Sequence, residues 1–396
     1  MQDSIVMPSR IHDYDRMILL QEDLLEKSQI SEEDKQLIQR FVLSKIAEGI
    51  SEPRIAKYYS TLRLLAERFK PFEKTFVELT KEDLIAIAAK IERTKLKAWT
   101  KRDYKLFLKL LYKYIGRDVD FIKPKDPGNK LIPDDLITIA DVKRMIDAAQ
   151  TDRDKAFIAC LYDGSFRISE LGSAVIKDVN FDEYGAHLMV NGKTGMRNTR
   201  LIFSVPYLSR WLEVHPLRNN REAPLWIMLD KHIQMTYNAL HRQLRRVAER
   251  AEVKHKVNPH NFRHSRATYL AQHLSESLLC EYMGLTQGSK MVRTYVHLSG
   301  HDLDKSLLKL YGLEHDEKEQ MKLDVVQCPF CRMMNTVDAR ICINCRKPLG
   351  AEHVIEKEKL AESLFEDLLE LSLSDPEVAD AVRKYFEKRK NKKDVD

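Results

Sequence analysis

Glycine and proline are scarce, 13 of each among 396 residues. That scarcity excludes a collagen-like, low-complexity or largely disordered chain. No apolar run approaches the roughly 20 residues needed to span a bilayer. The opening stretch, MQDSIVMPSRIHDYDR, lacks the apolar segment of a secretory signal. These absences predict an intracellular, cytoplasmic protein with no membrane partner. An excess of one charge is nearly absent too: 66 Lys and Arg stand against 60 Asp and Glu, a formal net charge of +6. By itself that balance supports nucleic-acid binding only weakly. Cysteine is rare outside one segment: Cys160 and Cys280 stand alone, whereas Cys328, Cys331, Cys342 and Cys345 cluster. Isolated cysteines read as small buried hydrophobes, and two tight pairs suggest a metal.

Apolar residues make up 43% of the chain and charged residues 32%, enough for real cores beneath a charged surface. At roughly 150 residues per domain, the length predicts two or three domains. From about Gln21 to Gly116 the pattern is helical. Ser31 with Asp34, Thr80 with Asp83 and Thr100 with Asp103 read as capping boxes. Tyr58, Leu62, Leu65 and Phe69 recur at helical spacing. The last helix of this region carries Lys101, Lys105, Lys109 and Lys113 at i, i+4 spacing, a stripe without evident carboxylate partners. Such a stripe suits a phosphate backbone, and reads equally as a solvated face.

The pattern predicts a helical domain over 1–120 and a proline-rich linker over 121–136. A second, mostly helical domain follows over 137–315, opened by a capping box at Thr138 and Asp141. Its one strand signal is YGAHLMVNGKTGMRNTRLIFSV, two apolar-rich runs around an NGKTG turn, read as a β-hairpin. The cysteine segment spans 325–350 and a helical tail 351–396. In that tail Leu360, Leu364, Phe365, Leu368, Leu369 and Leu371 form an apolar stripe suited to packing on a neighbouring domain or protomer. The fold class expected is therefore mainly α and multidomain (α+β), with a small antiparallel sheet in the second domain.

Four short segments of the second domain combine chemistry-bearing residues. DGSFRISEL sets Arg167 just past a glycine turn with Glu170 one helical turn on, and NGKTG puts Lys193 at a hairpin tip. In NPHNFRHSRATYL, Asn258 is a good N-cap and Pro259 a good first helical residue, so His260 and Arg263 sit in the first turn or just beyond, on one face. A helix N-terminus carrying these groups favours an anion. GSKMVRTYVHLSG supplies Tyr295 and His297. Each piece is common by chance; their order and separations together are not.

Residues 155–300 resemble the catalytic domain of the tyrosine recombinase (phage integrase) family, through GSFRISEL, GKTG, PHNFRHSRATYL and YVHLS. The preceding helices resemble the family's core-binding, SAM-like domain. MGLTQGSKMVRTYVHLSG followed by a cysteine-paired ribbon is similar to archaeal integrases. The resemblance implies a site-specific recombinase that cleaves and rejoins duplex DNA through a 3′-phosphotyrosine. Tyr295 would be the nucleophile, Arg167 and Arg263 the phosphate clamp, and Lys193 the acid for the leaving 5′-oxygen. His260 would contact the phosphate and assist proton transfer at Tyr295. Glu170, His264 and His297 would be supporting groups, with the lysine stripe touching DNA. It also implies a clamp around the duplex, a homotetramer on DNA (monomer or dimer when free), and neither catalytic metal nor ATP. The short helix DLDKSLLKLYGL would pack between protomers.

One position departs from the family: Leu285 stands where His or Trp is usual. Losing that N–H donor would cost of order 1–3 kcal/mol of transition-state stabilisation, roughly ten- to a hundredfold in rate. This departure leaves open a DNA-binding protein with a weakened or inactive centre; a type IB topoisomerase-like enzyme is a further rival.

CPFC and CINC both have C-x₂-C spacing. Four thiolates so placed suit structural Zn²⁺, and a closed four-cysteine set leaves no position for catalysis. Arg332, Arg340, Arg346 and Lys347 on this ribbon are candidate DNA contacts.

Overall fold

The computed structural model describes residues 11–128, 133–192, 195–298, 311 and 324–393. It divides into two compact units, Arg10–Ile132 and the chain from Pro133 onward. Among the described residues no helix is long and apolar enough to cross a membrane.

The first unit is a bundle of α1 (Tyr14–Glu26), α2 (Glu32–Ala47), α3 (Glu52–Arg68), α4 (Lys81–Arg93) and α5 (Ala98–Tyr114). Leu25, Ile38, Phe41, Leu62, Leu108 and Leu111 are fully buried at its centre. Each such side chain contributes roughly 1.5–3 kcal/mol by leaving water. The Thr80 and Asp83 capping box forms as the sequence indicates. At Ser31 only half of the box forms: its hydroxyl accepts from the Asp34 N–H, but the Asp34 carboxylate turns inward. There it accepts the Phe76 N–H at 2.7 Å and pairs with buried Lys70 at 3.1 Å. Thr100 caps nothing. The helix begins earlier, with Lys97 as N-cap, and Asp103 instead pairs with Lys57 and Arg102.

The lysine stripe differs from its sequence reading in the same way. Lys105 is buried and pairs with Glu92, and Lys109 pairs with Asp120 at 2.8 Å. Lys101 donates to the Glu92 carbonyl, while Lys113 is exposed. The carboxylates come from α4 and from the turn after α5, so local i, i+4 spacing could not reveal them.

The second unit starts with a 3₁₀ turn at Pro133–Asp135, then α6 (Ile139–Ala148) and α7 (Asp152–Asp163). The end of the expected linker is not free: the Ile137 N–H donates to Ser265 Oγ, and the Asn261 amide to the Asp135 carbonyl. After the short α8 (Ile168–Gly172) comes an antiparallel sheet of β1 (Val179–Asp182), β2 (Gly185–Gly192) and β3 (Gly195–Leu201), in that order. The hairpin of β2 and β3 has Gly192 opposite Gly195. Strand β1, only VNFD and mostly exposed, carries too little alternation to be read in advance.

Helices α9 (Val205–Val214), α10 (Tyr237–Arg250), α11 (Pro259–Leu270), α12 (Glu276–Met283) and α13 (Lys290–Leu298) complete the core. Trp226, fully buried, packs edge-on against Phe157 and donates its indole N–H to the Leu171 carbonyl at 2.7 Å. This anchors α8 from below. The cysteine segment forms a two-stranded sheet, β4 (Val325–Gln327) with β5 (Met334–Thr336). Helices α14 (Ala351–Ser374) and α15 (Pro376–Lys393) pack on each other. Leu364, Phe365, Leu368, Leu369 and Leu371 of α14 remain exposed, so their stripe is not covered among the described residues. The segment DLDKSLLKLYGL lies outside the described residues, apart from Tyr311.

Candidate active site

The site is built where α8, β3, α11, the turn after α12 and α13 meet. It begins with a strained turn. Gly164 closes α7, and Ser165 is held at φ +50°, a left-handed conformation rare for a residue with a Cβ. That bend makes the Ser165 carbonyl an acceptor for Arg263 Nη1 at 2.7 Å and places Arg167 at the N-cap of α8.

Arg263 is buried at 3% exposure, out of reach of bulk solvent. It is instead held by carbonyls: Nη2 donates to the Met283 carbonyl at 2.6 Å. The neighbouring Gly284 carbonyl lies 3.4 Å from Arg167 Nη2. One turn therefore orients both guanidiniums. It can do so because Gly284 takes the left-handed conformation (φ +58°) that ends α12, with the Leu285 N–H returning to the Cys280 carbonyl at 2.8 Å.

Glu170, 2% exposed, lies beneath the arginines. Its Oε1 accepts from Arg167 Nη1 at 2.5 Å, and its Oε2 accepts the Arg167 backbone N–H at 3.0 Å and Arg197 Nη2 at 2.8 Å. Arg263 Nη1 stands 3.9 Å from the same oxygen. Burial alone would raise its pKa, but Arg197 and Arg167 outweigh burial and hold it below the ordinary carboxylate value. The hairpin approaches just as closely: a Cβ on Gly192 would come within 2.5 Å of Glu170 Oε1. The strand that precedes Lys193 thus runs against this carboxylate. Lys193 itself lies outside the described residues.

Arg197 is the residue that motif reading missed. It also donates to the Tyr282 carbonyl and to Thr199 Oγ1, and its guanidinium lies over the Phe166 ring. A signal existed: Thr199 and Leu201 are the buried face of β3, and alternation places Arg197 on that inward face.

Tyr295 projects from α13 and is 2% exposed. Burial pushes its phenol up to about 12, against the opposing charges of Arg263 and Arg167. Its hydroxyl is hydrogen-bonded to Nδ1 of His264 at 2.8 Å. The contact is made by His264, where the sequence reading expects His260 to assist the phenol. His260 is exposed, its ring 3.9 Å from that of His264, edge to face. Both imidazoles have lowered pKa values: His264 falls to about 4 through burial, His260 and Arg263, and His260 falls through desolvation, Arg263 and Arg167. Burial and Arg167 likewise lower Arg263 to about 10. His297 does not join the site; it is exposed, two residues past Tyr295 and so on another face of α13. Leu285 is half-buried beside the arginine-holding turn.

The four cysteine sulfurs of 328, 331, 342 and 345 lie within 4.8 Å of one another. The pairs Cys328–Cys345 and Cys331–Cys342 are 3.6 and 3.5 Å apart, too long for disulfides. Four thiolates bound at about 2.3 Å sit roughly 3.8 Å apart in a tetrahedron, close to this spacing. Both knuckles repeat one geometry. Arg332 and Arg346 follow the second cysteine of each pair at φ +61° and +60°, and their N–H groups return to the Cys328 and Cys342 carbonyls. The side chains of Arg332 and Arg346 pair with Glu183 and Glu213 of the catalytic unit. Both arginine side chains stay largely exposed in these surface pairs.

The phage integrase family profile matches residues 136–301. That segment is a phage integrase family domain, and the curated relatives it resembles are tyrosine recombinases. Among curated proteins it is similar to tyrosine recombinase XerA of Pyrococcus horikoshii, 26% identical over 60% of this chain and 80% of the relative. It is also similar to tyrosine recombinase XerC of Alcanivorax borkumensis, 24% identical over 62% of this chain and 83% of the relative. A lambda integrase solved as a tetramer on a Holliday junction shares the fold, with a TM-score of 0.54 and 14% identity over 68% of this chain and 79% of that one. So does the Tn1549 transposon integrase, solved with transposon right-end DNA, with a TM-score of 0.51 and 17% identity over 70% of this chain and 99% of that one.

Proposed function

We propose that this recombinase cleaves and rejoins a specific duplex DNA site through a 3′-phosphotyrosine at Tyr295. The observation that carries the reading is the convergence of Arg167 and Arg263 on one shared turn and carboxylate, with the buried Tyr295 phenol within electrostatic reach of both guanidiniums. Arg167 and Arg263 clamp the non-bridging phosphate oxygens, since a planar guanidinium meets two oxygens at once. Glu170 fixes their orientation. His260, on the open side, contacts the phosphate, and Lys193 protonates the departing 5′-oxygen. A phenolate is a workable leaving group in reverse, so resealing conserves the bond and needs no ATP. The lambda and Tn1549 integrases were solved with DNA, and duplex DNA bound by a homotetramer is the partner assigned here. Exposed Lys113 is the member of its stripe left for phosphate contact.

The test uses a library of nicked duplexes with randomised sequence, in which cleavage traps the protein on DNA. The wild-type chain is expected to give a covalent band on a denaturing gel and to enrich one sequence. Sequence-specific shifting without a covalent band would favour the DNA-binding reading that Leu285 motivates.

Leu285→Trp restores an N–H donor beside the phosphate site. It is expected to speed single-turnover cleavage by roughly ten- to a hundredfold. An unchanged rate would show that Leu285 is no handicap.

The ribbon cysteines are assigned to structural Zn²⁺, which supplies no chemistry to strand exchange and closes the two knuckles. Elemental analysis of the purified protein should find one zinc per chain, lost in Cys342→Ser. Limited proteolysis of that variant should then open the chain within 325–350, because the Glu183 and Glu213 contacts depend on the knuckles.

A further inference from the structure

Attack by Tyr295 requires its hydroxyl proton to go somewhere, and the surroundings narrow the choice. The phenol is buried, so bulk water does not reach it freely. Arg167 and Arg263 have no lone pair to accept a proton. Glu170 is saturated by Arg167 and Arg197. His260 is exposed and meets the next imidazole on the same helix edge to face, and among the described residues no hydrogen bond joins it to the Tyr295 hydroxyl.

That next imidazole is His264, itself 7% exposed. It is the side chain in hydrogen-bond contact with the Tyr295 oxygen, Nδ1 to Oη at 2.8 Å, with ring centroids 5.6 Å apart. It sits one residue past Arg263, so a single helical step fixes both the clamp and this contact.

We propose that His264 is a catalytic residue, whose Nδ1 takes the Tyr295 proton as the phenol oxygen attacks phosphorus. The proposal rests on Tyr295 being the nucleophile. The bond from Tyr295 Oη to phosphorus forms while the bond from phosphorus to the 5′-oxygen breaks. The phenol proton passes to His264, and the departing oxygen takes its proton from the acid assigned to Lys193. Rejoining reverses both transfers, and nothing is oxidised or reduced.

The electrostatics agree. Burial, His260 and Arg263 keep the free imidazole neutral near pH 7, which leaves Nδ1 able to accept. A phenol near 12 does not ionise onto so weak a base at rest. Transfer therefore accompanies bond formation to phosphorus, when the oxygen loses electron density. The bound phosphate's own negative charge favours imidazolium at that moment.

The experiment compares the ordinary captured duplex with one carrying sulfur in place of the bridging 5′-oxygen. A thiolate leaves without protonation, so the substitution rescues a missing acid and not a missing base. His264→Asn keeps a polar atom near the Nδ1 position but cannot carry the proton. Its single-turnover cleavage should be slowed about 100-fold on both duplexes, whereas Lys193→Ala should be slow only on the ordinary one. A loss of more than tenfold that persists on the sulfur duplex supports the proposal. A smaller loss, or one the sulfur erases, overturns it. Should the variant fail to fold, nitrogen NMR of the wild-type protein decides: a bare Nδ1 on His264, perturbed by Tyr295→Phe, supports the assignment, and a protonated Nδ1 overturns it. Absence of any wild-type adduct would instead refute the nucleophile itself.

Discussion

Glu170→Ala should destabilise the protein by about 3–5 kcal/mol and abolish DNA cleavage. The energetic reason is asymmetry: removing one partner of a buried ionic cluster strands the other charges without water. Arg197 and Arg263 would keep full charges in a site 11% and 3% exposed, with their carboxylate gone. Chemical denaturation measures the loss, and Glu170→Gln, which keeps the shape but not the charge, should lose less. The same carboxylate sets an acid limit. Its folded pKa lies below its ordinary 4.5, so its contribution is complete above that value and fades as pH falls through the lower, folded one. Acid sensitivity in that range should shrink in Glu170→Gln. A Glu170→Ala protein with wild-type stability would mean that the arginines are satisfied elsewhere.

That Arg167, Arg263, Tyr295 and the cysteine knuckles belong to candidate sites is legible in the sequence because each sits in a short local motif. Arg167 follows its glycine turn, Arg263 its Asn-Pro cap, and the cysteines their C-x₂-C pairs. What was not legible depends on partners distant in sequence. Asp34 was read as half of a local cap, yet Phe76 and Lys70 claim its carboxylate. The lysine stripe was read as unpaired, yet Glu92 and Asp120 neutralise part of it. Arg197 carries no motif and is defined by strand alternation together with Glu170, 27 positions away. His260 and His264 are separated by one helical turn, and only the position of α13 decides which of them meets Tyr295.

Tyr295→Phe removes a single oxygen from a packed ring. It should leave the fold intact and eliminate strand cleavage altogether, because the proposed phosphodiester link is to the phenol oxygen that this substitution removes. The most direct measurement is to digest the trapped protein–DNA complex with protease and identify by mass spectrometry the residue that carries the nucleotide. The account predicts a 3′-phosphate esterified to the oxygen of Tyr295, and no adduct of any kind with Tyr295→Phe. A nucleotide recovered on another residue, or an undiminished adduct in the phenylalanine variant, would contradict it.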